Sequence, residues 1–192
     1  MESKNTGAIM ATIFFILTCA IIGSCFMAFV YPEKKVTVAS PRVTAADGIT
    51  VTDKKGQTVQ TIELSKSKLG LKPVTGKENC DTDIPSTVTD RTGSEGVYGV
   101  FKIKSTVAWK MYVTNVKVET KAEPGDQREH IQVALKDVQK SCQNLKEDKI
   151  LLTSGKPSDE EKEFTLLVWL HSHAGNEFTG AKISFNIVFE AA

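Results

Sequence analysis

The apolar residues of this chain are distributed in two regimes, with a boundary at Tyr31-Pro32. Before it, residues 8–30 read AIMATIFFILTCAIIGSCFMAFV, without one charged side chain. After it, apolar residues come singly and alternate with polar ones, the period of a strand that buries one face. Val36 and Val38 follow that rule, as do Ile49 and Val51, while Val59, Ile62 and Leu64 follow it loosely. Strands are predicted over 98–105 and 108–120. In the second, Tyr112, Thr114, Val116 and Val118 are expected on one face and Trp109, Met111 and Val113 on the other. Ile131, Val133 and Leu135 alternate again. Residues 137–148 read as a short helix or a polar loop, and 150–152 as a short strand.

The last two strands carry the clearest pattern. Phe164, Leu166, Val168 and Leu170 alternate with Thr165, Leu167, Trp169 and His171, so the centre of the strand is apolar on both faces. Such a strand belongs in the middle of a sheet with both faces covered. In the terminal GAKISFNIVFEA, Ile183, Phe185, Ile187 and Phe189 oppose Lys182, Ser184, Asn186 and Glu190, which predicts a half-buried antiparallel strand. Residues 66–96 are rich in Ser, Thr, Asp, Lys and Gly and contain Pro73 and Pro85, a long loop or a pair of weak edge strands. Strands punctuated by turn signals, with no strong helical period, predict an all-β antiparallel β-sandwich.

The first regime reads differently. A helix of about 23 residues at 1.5 Å each spans about 34 Å, enough to cross the hydrocarbon core of a bilayer. Its Ile, Leu, Phe and Val residues, among them Ile9, Phe14, Phe15, Leu17, Ile21 and Phe26, together favour insertion by about 3–7 kcal/mol. The expected organisation is a short flank over 1–7, a transmembrane or signal-anchor helix over 8–31, and an extracytoplasmic β-sandwich over 32–192. A cleaved signal peptide is an alternative. So is lipidation at Cys25, because Ile22-Gly23-Ser24-Cys25 has the form of a lipobox. The flanks, with Glu2 and Lys4 on one side and Glu33, Lys34 and Lys35 on the other, do not decide orientation, since long domains translocate largely regardless of such charge.

Charge and reactive residues narrow the function. The 24 basic and 23 acidic side chains leave a net +1 with no basic stretch, which argues against a nucleic-acid partner. Of four cysteines, Cys19 and Cys25 fall in the apolar segment, while Cys80 and Cys142 sit in polar surroundings (KENCDTD and QKSCQNL). In an exported domain those two are expected to form a disulfide, and their spacing does not suit a zinc site. His171 and His173 form an H-x-H after the central strand and are candidate metal ligands, with Glu177 or Asp159 as a third. Solvated loop histidines are the plainer reading. The run DEEKE over 159–163 reads as a solvated charged edge rather than a calcium site. No nucleophile, phosphate-loop or dinucleotide motif occurs, so neither an enzyme nor a cofactor is expected.

The two ends of the chain carry a resemblance. FTLLVWLHSHAGNEFTGAKISFNIVFEA looks like the closing hairpin of the TasA–camelysin family, through Val168-Trp169-Leu170, the turn Gly175-Asn176-Glu177-Phe178, Gly180 and the alternating final strand. FMAFVYPEKKVTVASPRVTAADGITV is similar to that family's passage from signal peptide to first strand, although it lacks the Ser-Asp usual after the position of Phe29. The resemblance covers about 50 residues. It implies export from a Gram-positive bacterium, a jelly-roll-like sandwich and a place in biofilm matrix fibres. The expectation is therefore a membrane-tethered or secreted cell-surface protein of structural or adhesive type. Its partners would be the lipid bilayer and copies of itself or other surface proteins. Alternatives are a surface metalloprotease-like enzyme, an activity associated with camelysin-type members, and an accessory subunit of a membrane complex.

Overall fold

The computed structural model describes residues 35–65, 68–70, 96–120, 127–171 and 174–192. The chain divides into two units, Met1–Lys34 and Lys35–Ala192, and the described residues all belong to the second. The predicted anchor, with Ile9, Phe14, Phe15, Leu17, Ile21, Phe26 and Cys25, lies outside them. Among the described residues no helix is long and apolar enough to cross a membrane.

The second unit is all-β. Its strands are β1 (Lys35–Val38), β2 (Arg42–Ala45), β3 (Ile49–Thr52), β4 (Lys68–Gly70), β5 (Gly96–Ser105), β6 (Trp109–Glu119), β7 (Ile131–Leu135), β8 (Gln143–Asn144), β9 (Lys149–Gly155), β10 (Ser158–Leu170) and β11 (Lys182–Ala191). Between them stand two short 3-10 turns, Gln127–His130 and Asn176–Phe178. Of the two readings of 137–148, the polar loop is the one observed, holding only the two-residue β8. Asp137 and Lys140 have φ of 61° and 59°, a backbone that no right-handed helix accommodates.

The strands form two sheets. One runs β4-β1-β11-β6-β9, with β2 following β1 along the same side of β11, and the other runs β3-β5-β10-β7-β8. Four aromatic rings join the layers. Trp109 of β6 stands edge-on to Phe164 of β10 and to Phe189 of β11, at 5.9 Å in both cases. Phe101 of β5 stacks on Phe164 at 5.8 Å and meets Phe189 edge-on at 6.2 Å. Thus β10 lies over β6 and β5 over β11, in the offset and edge geometries that ring quadrupoles favour. Gly155 of β9 passes directly beneath Trp109, where a Cβ would come within 2.4 Å of the indole.

The two-sided apolar strand is central, as its pattern predicts. β10 lies between β5 and β7, and all seven residues from Phe164 to Leu170 are buried. Phe164, Leu166, Val168 and Leu170 enter the inter-sheet core. Leu167 and Trp169 form a second cluster with Ala134 on the outer face, against which Tyr98 and Cys142 pack. In β11 the predicted set Ile183, Phe185, Ile187 and Phe189 is buried in the same core, while the residues between are half-buried or exposed.

Three expectations are corrected. β11 is antiparallel to β6 but parallel to β1 and β2, so the sheet is mixed and not antiparallel throughout. A parallel pair needs a long connection, and the whole intervening domain supplies it. Secondly, β10 and β11 are not a hairpin. Both sides of β10 are already taken by β5 and β7, so the chain crosses to the other layer before β11 begins. Thirdly, the face assignment in β6 fails after Thr114. Asn115, at φ 53°, is an extra residue opposite β11, where the pairing steps from Thr114↔Asn186 to Lys117↔Ser184. This bulge turns Val116 inward, to the face of Trp109, Met111 and Val113. Asn is among the few residues that adopt such a backbone at low cost.

Candidate functional site

Two layered sheets meet along two lateral seams, and here the seams differ. Between β2 and β3 a segment over 57–65 straps one sheet to the other. Gly56, at φ 78°, starts it from a turn in which the Asp53 carboxylate accepts the amides of Lys55 (2.8 Å) and Gln57 (2.9 Å). The strap then bonds to both layers. Val43 donates to Gln60 at 2.8 Å and Ile62 donates to Pro41 at 3.0 Å on the first sheet. Val59 donates to Val51 at 3.0 Å and Ser65 to Tyr98 at 2.7 Å on the second. Ile62 is buried in the core, and Gly99 of β5 makes room for it, since a Cβ there would stand 2.5 Å from the Ile62 methyl group.

The opposite seam, beside β9, is open. Among the described residues no strand bonds to the outer edge of β9. A groove of about 750 Å³ runs between Ile150–Ser154 and a polar lip that includes Lys140, Gln143 and Lys146. Leu151, 46% exposed, is the one large hydrophobic side chain exposed among the described residues. It lies on the outer face beside Tyr112. The lip is held from within by Ser141, whose buried hydroxyl accepts the Leu135 amide at 2.9 Å and lies 2.8 Å from the Val138 carbonyl. At the start of β9 the Lys149 ammonium reaches both Glu190 oxygens, at 2.7 and 2.8 Å, and sits over the Tyr112 ring. That carboxylate holds the Lys149 pKa above its ordinary value.

The histidines gather at one end of the molecule. β7 pairs Ile131 with Leu170 of β10, which brings their neighbours together: the His171 amide donates to the His130 carbonyl at 2.7 Å and the rings are 6.3 Å apart. His130 also stands edge-on to Phe178 and 3.9 Å from the Glu129 carboxylate. His173 lies outside the described residues. Asp159 is not a third ligand for His171. The two are twelve residues apart along one extended strand, roughly 35–40 Å at about 3.3 Å per residue. The Glu177 carboxylate turns back into its own loop and accepts the Gly175 amide at 2.7 Å. That bond, then its own amide and the nearby His130, holds the Glu177 pKa below its ordinary value. No group of three or more His, Cys, Asp or Glu among the described residues is placed to hold a metal ion.

Cys142 is half-buried beside the Trp169 cluster. Cys80 lies outside the described residues. Trp109 and Trp169 are both buried, Trp109 in the inter-sheet core and Trp169 in the cluster on the outer face of the other sheet. The run over 159–163 is exposed, as a solvated charged edge should be, but it is also the first half of β10. Compared with protein-family models and with curated proteins, the chain matches none.

Proposed function

We propose that this chain is a cell-surface protein of structural or adhesive type. In this reading residues 8–31 tether or export it, and 32–192 form an extracytoplasmic sandwich of jelly-roll type. The sandwich assembles through its sheet edges with copies of itself or with other surface proteins, as a matrix-fibre subunit does. The observation that carries the reading is the open edge of β9 beside a groove, with Leu151 exposed on it. An unpaired edge presents a row of amides and carbonyls that accepts an added strand, and such edges are ordinarily blunted or covered.

Export is supported by two features, the apolar segment over 8–30 and the likeness of both chain ends to the TasA–camelysin family, and an exported domain would join Cys142 in a disulfide. Disulfides persist in oxidising compartments. The partner of Cys142 in that reading is Cys80, the one other cysteine outside the apolar segment. A bridge closing about 60 residues stabilises a fold by roughly 4 kcal/mol on the chain-entropy model.

Fractionation of the source cells tests the reading. Recovery in the membrane, wall or medium is expected, with a Cys80–Cys142 peptide pair in a non-reduced digest. Recovery wholly from the cytosol, with free thiols, overturns it.

A further inference from the structure

β10 is longer than the strand beside it. β7 bonds to it only from Leu166 to Leu170, and the Lys136 amide adds one last bond to the Thr165 carbonyl. Over 158–164, β10 bonds to β5 on one side and, among the described residues, to no strand on the other. That free edge lies on the same side of the molecule as the free edge of β9. β9 flanks β6 away from β11, β7 flanks β10 away from β5, and the ring contacts set β10 over β6 and β5 over β11. The two edges also share a height. Gly155 pairs with Trp109 and Ser158 with Ser105, on either side of the turn that joins β5 to β6, so β9 runs toward that end and β10 away from it, in opposite directions.

The edges carry opposite charge. Residues 158–164 hold Asp159, Glu160, Glu161 and Glu163 with Lys162. Residues 140–156 hold Lys140, Lys146, Lys149 and Lys156 with Glu147 and Asp148. Part of this charge is engaged within the chain: Glu161 with Lys102, Asp148 with Arg128, Lys149 with Glu190 and Lys146 with Glu129. The carboxylates of Asp159, Glu160 and Glu163 and the ammonium groups of Lys140 and Lys156 have no such partner among the described residues.

We infer that the occupant of the open seam is a second copy of this chain, with the acidic half of β10 from each copy added to β9 of the other. A two-fold axis parallel to the strands preserves strand direction and exchanges the layers, so it lays β10 antiparallel to the partner's β9 at equal height. The contact is self-complementary, as a two-fold interface must be. Charge favours it: β10 against β10 sets acid opposite acid, which is unfavourable, while β9 carries no acidic residue and is flanked by Lys140, Lys146 and Lys156, so the crossed pair matches. Both open edges of this seam close at once, so the dimer is the building unit and growth into a fibre would use the outer strands β3, β4 or β8. This inference rests on the edge-assembly reading above and names the edges and the partner.

The test uses the full chain in mild detergent, with mass measured by light scattering across a concentration series. A dimer that weakens with added salt is expected. Glu160→Lys with Glu163→Lys should raise the dimer dissociation constant at least about tenfold, and Lys140→Glu with Lys146→Glu should do the same. All four positions are exposed, so the fold is not at stake. Combining the four substitutions should restore the dimer. If neither pair weakens it, or the combination fails to restore it, the crossed pairing is wrong. Should the wild-type chain then still self-associate, edge assembly stands through other strands. A wild-type chain monomeric at every concentration removes both.

Discussion

The two seams of the domain solve one problem in two ways. Where two sheets are layered, the backbone groups along each outer edge need partners and the core needs cover from the side. At the β2–β3 seam the chain supplies both itself. A strap over 57–65 bonds to each sheet and drives Ile62 into the core, where Gly99 admits it. At the β9 seam the inner residues Ile150 and Leu152 are buried, but the strand's outer edge bonds to no strand among the described residues and Leu151 is exposed. A closed seam contributes stability within one molecule. An open one leaves directional bonding capacity for another, with charge deciding which strand is accepted.

Substitutions should separate these roles. The yardstick is the common core: Phe185→Ala should cost about 3–5 kcal/mol in denaturant unfolding, the range for large core truncations. Asn186→Ala, on the half-buried face next to it, should cost less than about 1 kcal/mol. Equal midpoints for the two would undo the face assignment of β11. At the closed seam, Ile62→Ala should cost about 2–4 kcal/mol. A loss below about 0.5 kcal/mol would mean that the strap is an ornament on the fold and not part of it.

The lip of the open seam depends on one hydroxyl. Ser141→Ala leaves the Leu135 amide buried without its acceptor and should cost about 1–3 kcal/mol. Hydrogen exchange should show the loosening at residues 135–141 and not at the strap. Glu177 belongs to neither seam and gives a pH control. Its folded pKa is depressed by the Gly175 amide, so its stabilisation is present above the unfolded glutamate value, about 4.3, and fades as pH falls through the folded value. Glu177→Gln should therefore lower the melting temperature at pH 7, and the difference from wild type should shrink as pH falls below the unfolded glutamate value. A difference that grows on acidification has the wrong sign. Smallest of all, Leu151→Ser should move monomer stability by no more than about 0.5 kcal/mol, since the side chain is already exposed.

The legibility of this fold in its sequence followed the contrast between faces. β11 and the buried half of β10 were readable because burial imposes a period or a full apolar run. The charged half of β10 was readable as solvent-facing but not as strand, because Asp159–Glu163 has the same polarity on both faces and leaves no period. β6 was readable up to Thr114. One residue with a left-handed backbone, Asn115, then exchanged the faces, and nothing in NVKV announces it. The strap was missed because its hold is mostly main-chain bonds from Gln60, Thr61 and their neighbours, which side-chain patterning does not record. The meeting of His130 with His171 depends on the register Ile131↔Leu170, a property of strand pairing. The mixed direction of the β11 sheet was hidden likewise, since alternation tells which face is buried but not which strand lies alongside.

The position of β11 also sets an order of events. It is last in the chain yet sits inside its sheet, with β6 on one side and β1 and β2 on the other. When the chain emerges amino end first, β1 and β2 must wait for a neighbour that is made some 140 residues later. Contacts of such separation make folding slow and leave strands unpaired meanwhile. The sheet that holds β11 is therefore completed only once β11 itself has been made, and deleting Lys182–Ala191 takes the middle out of it.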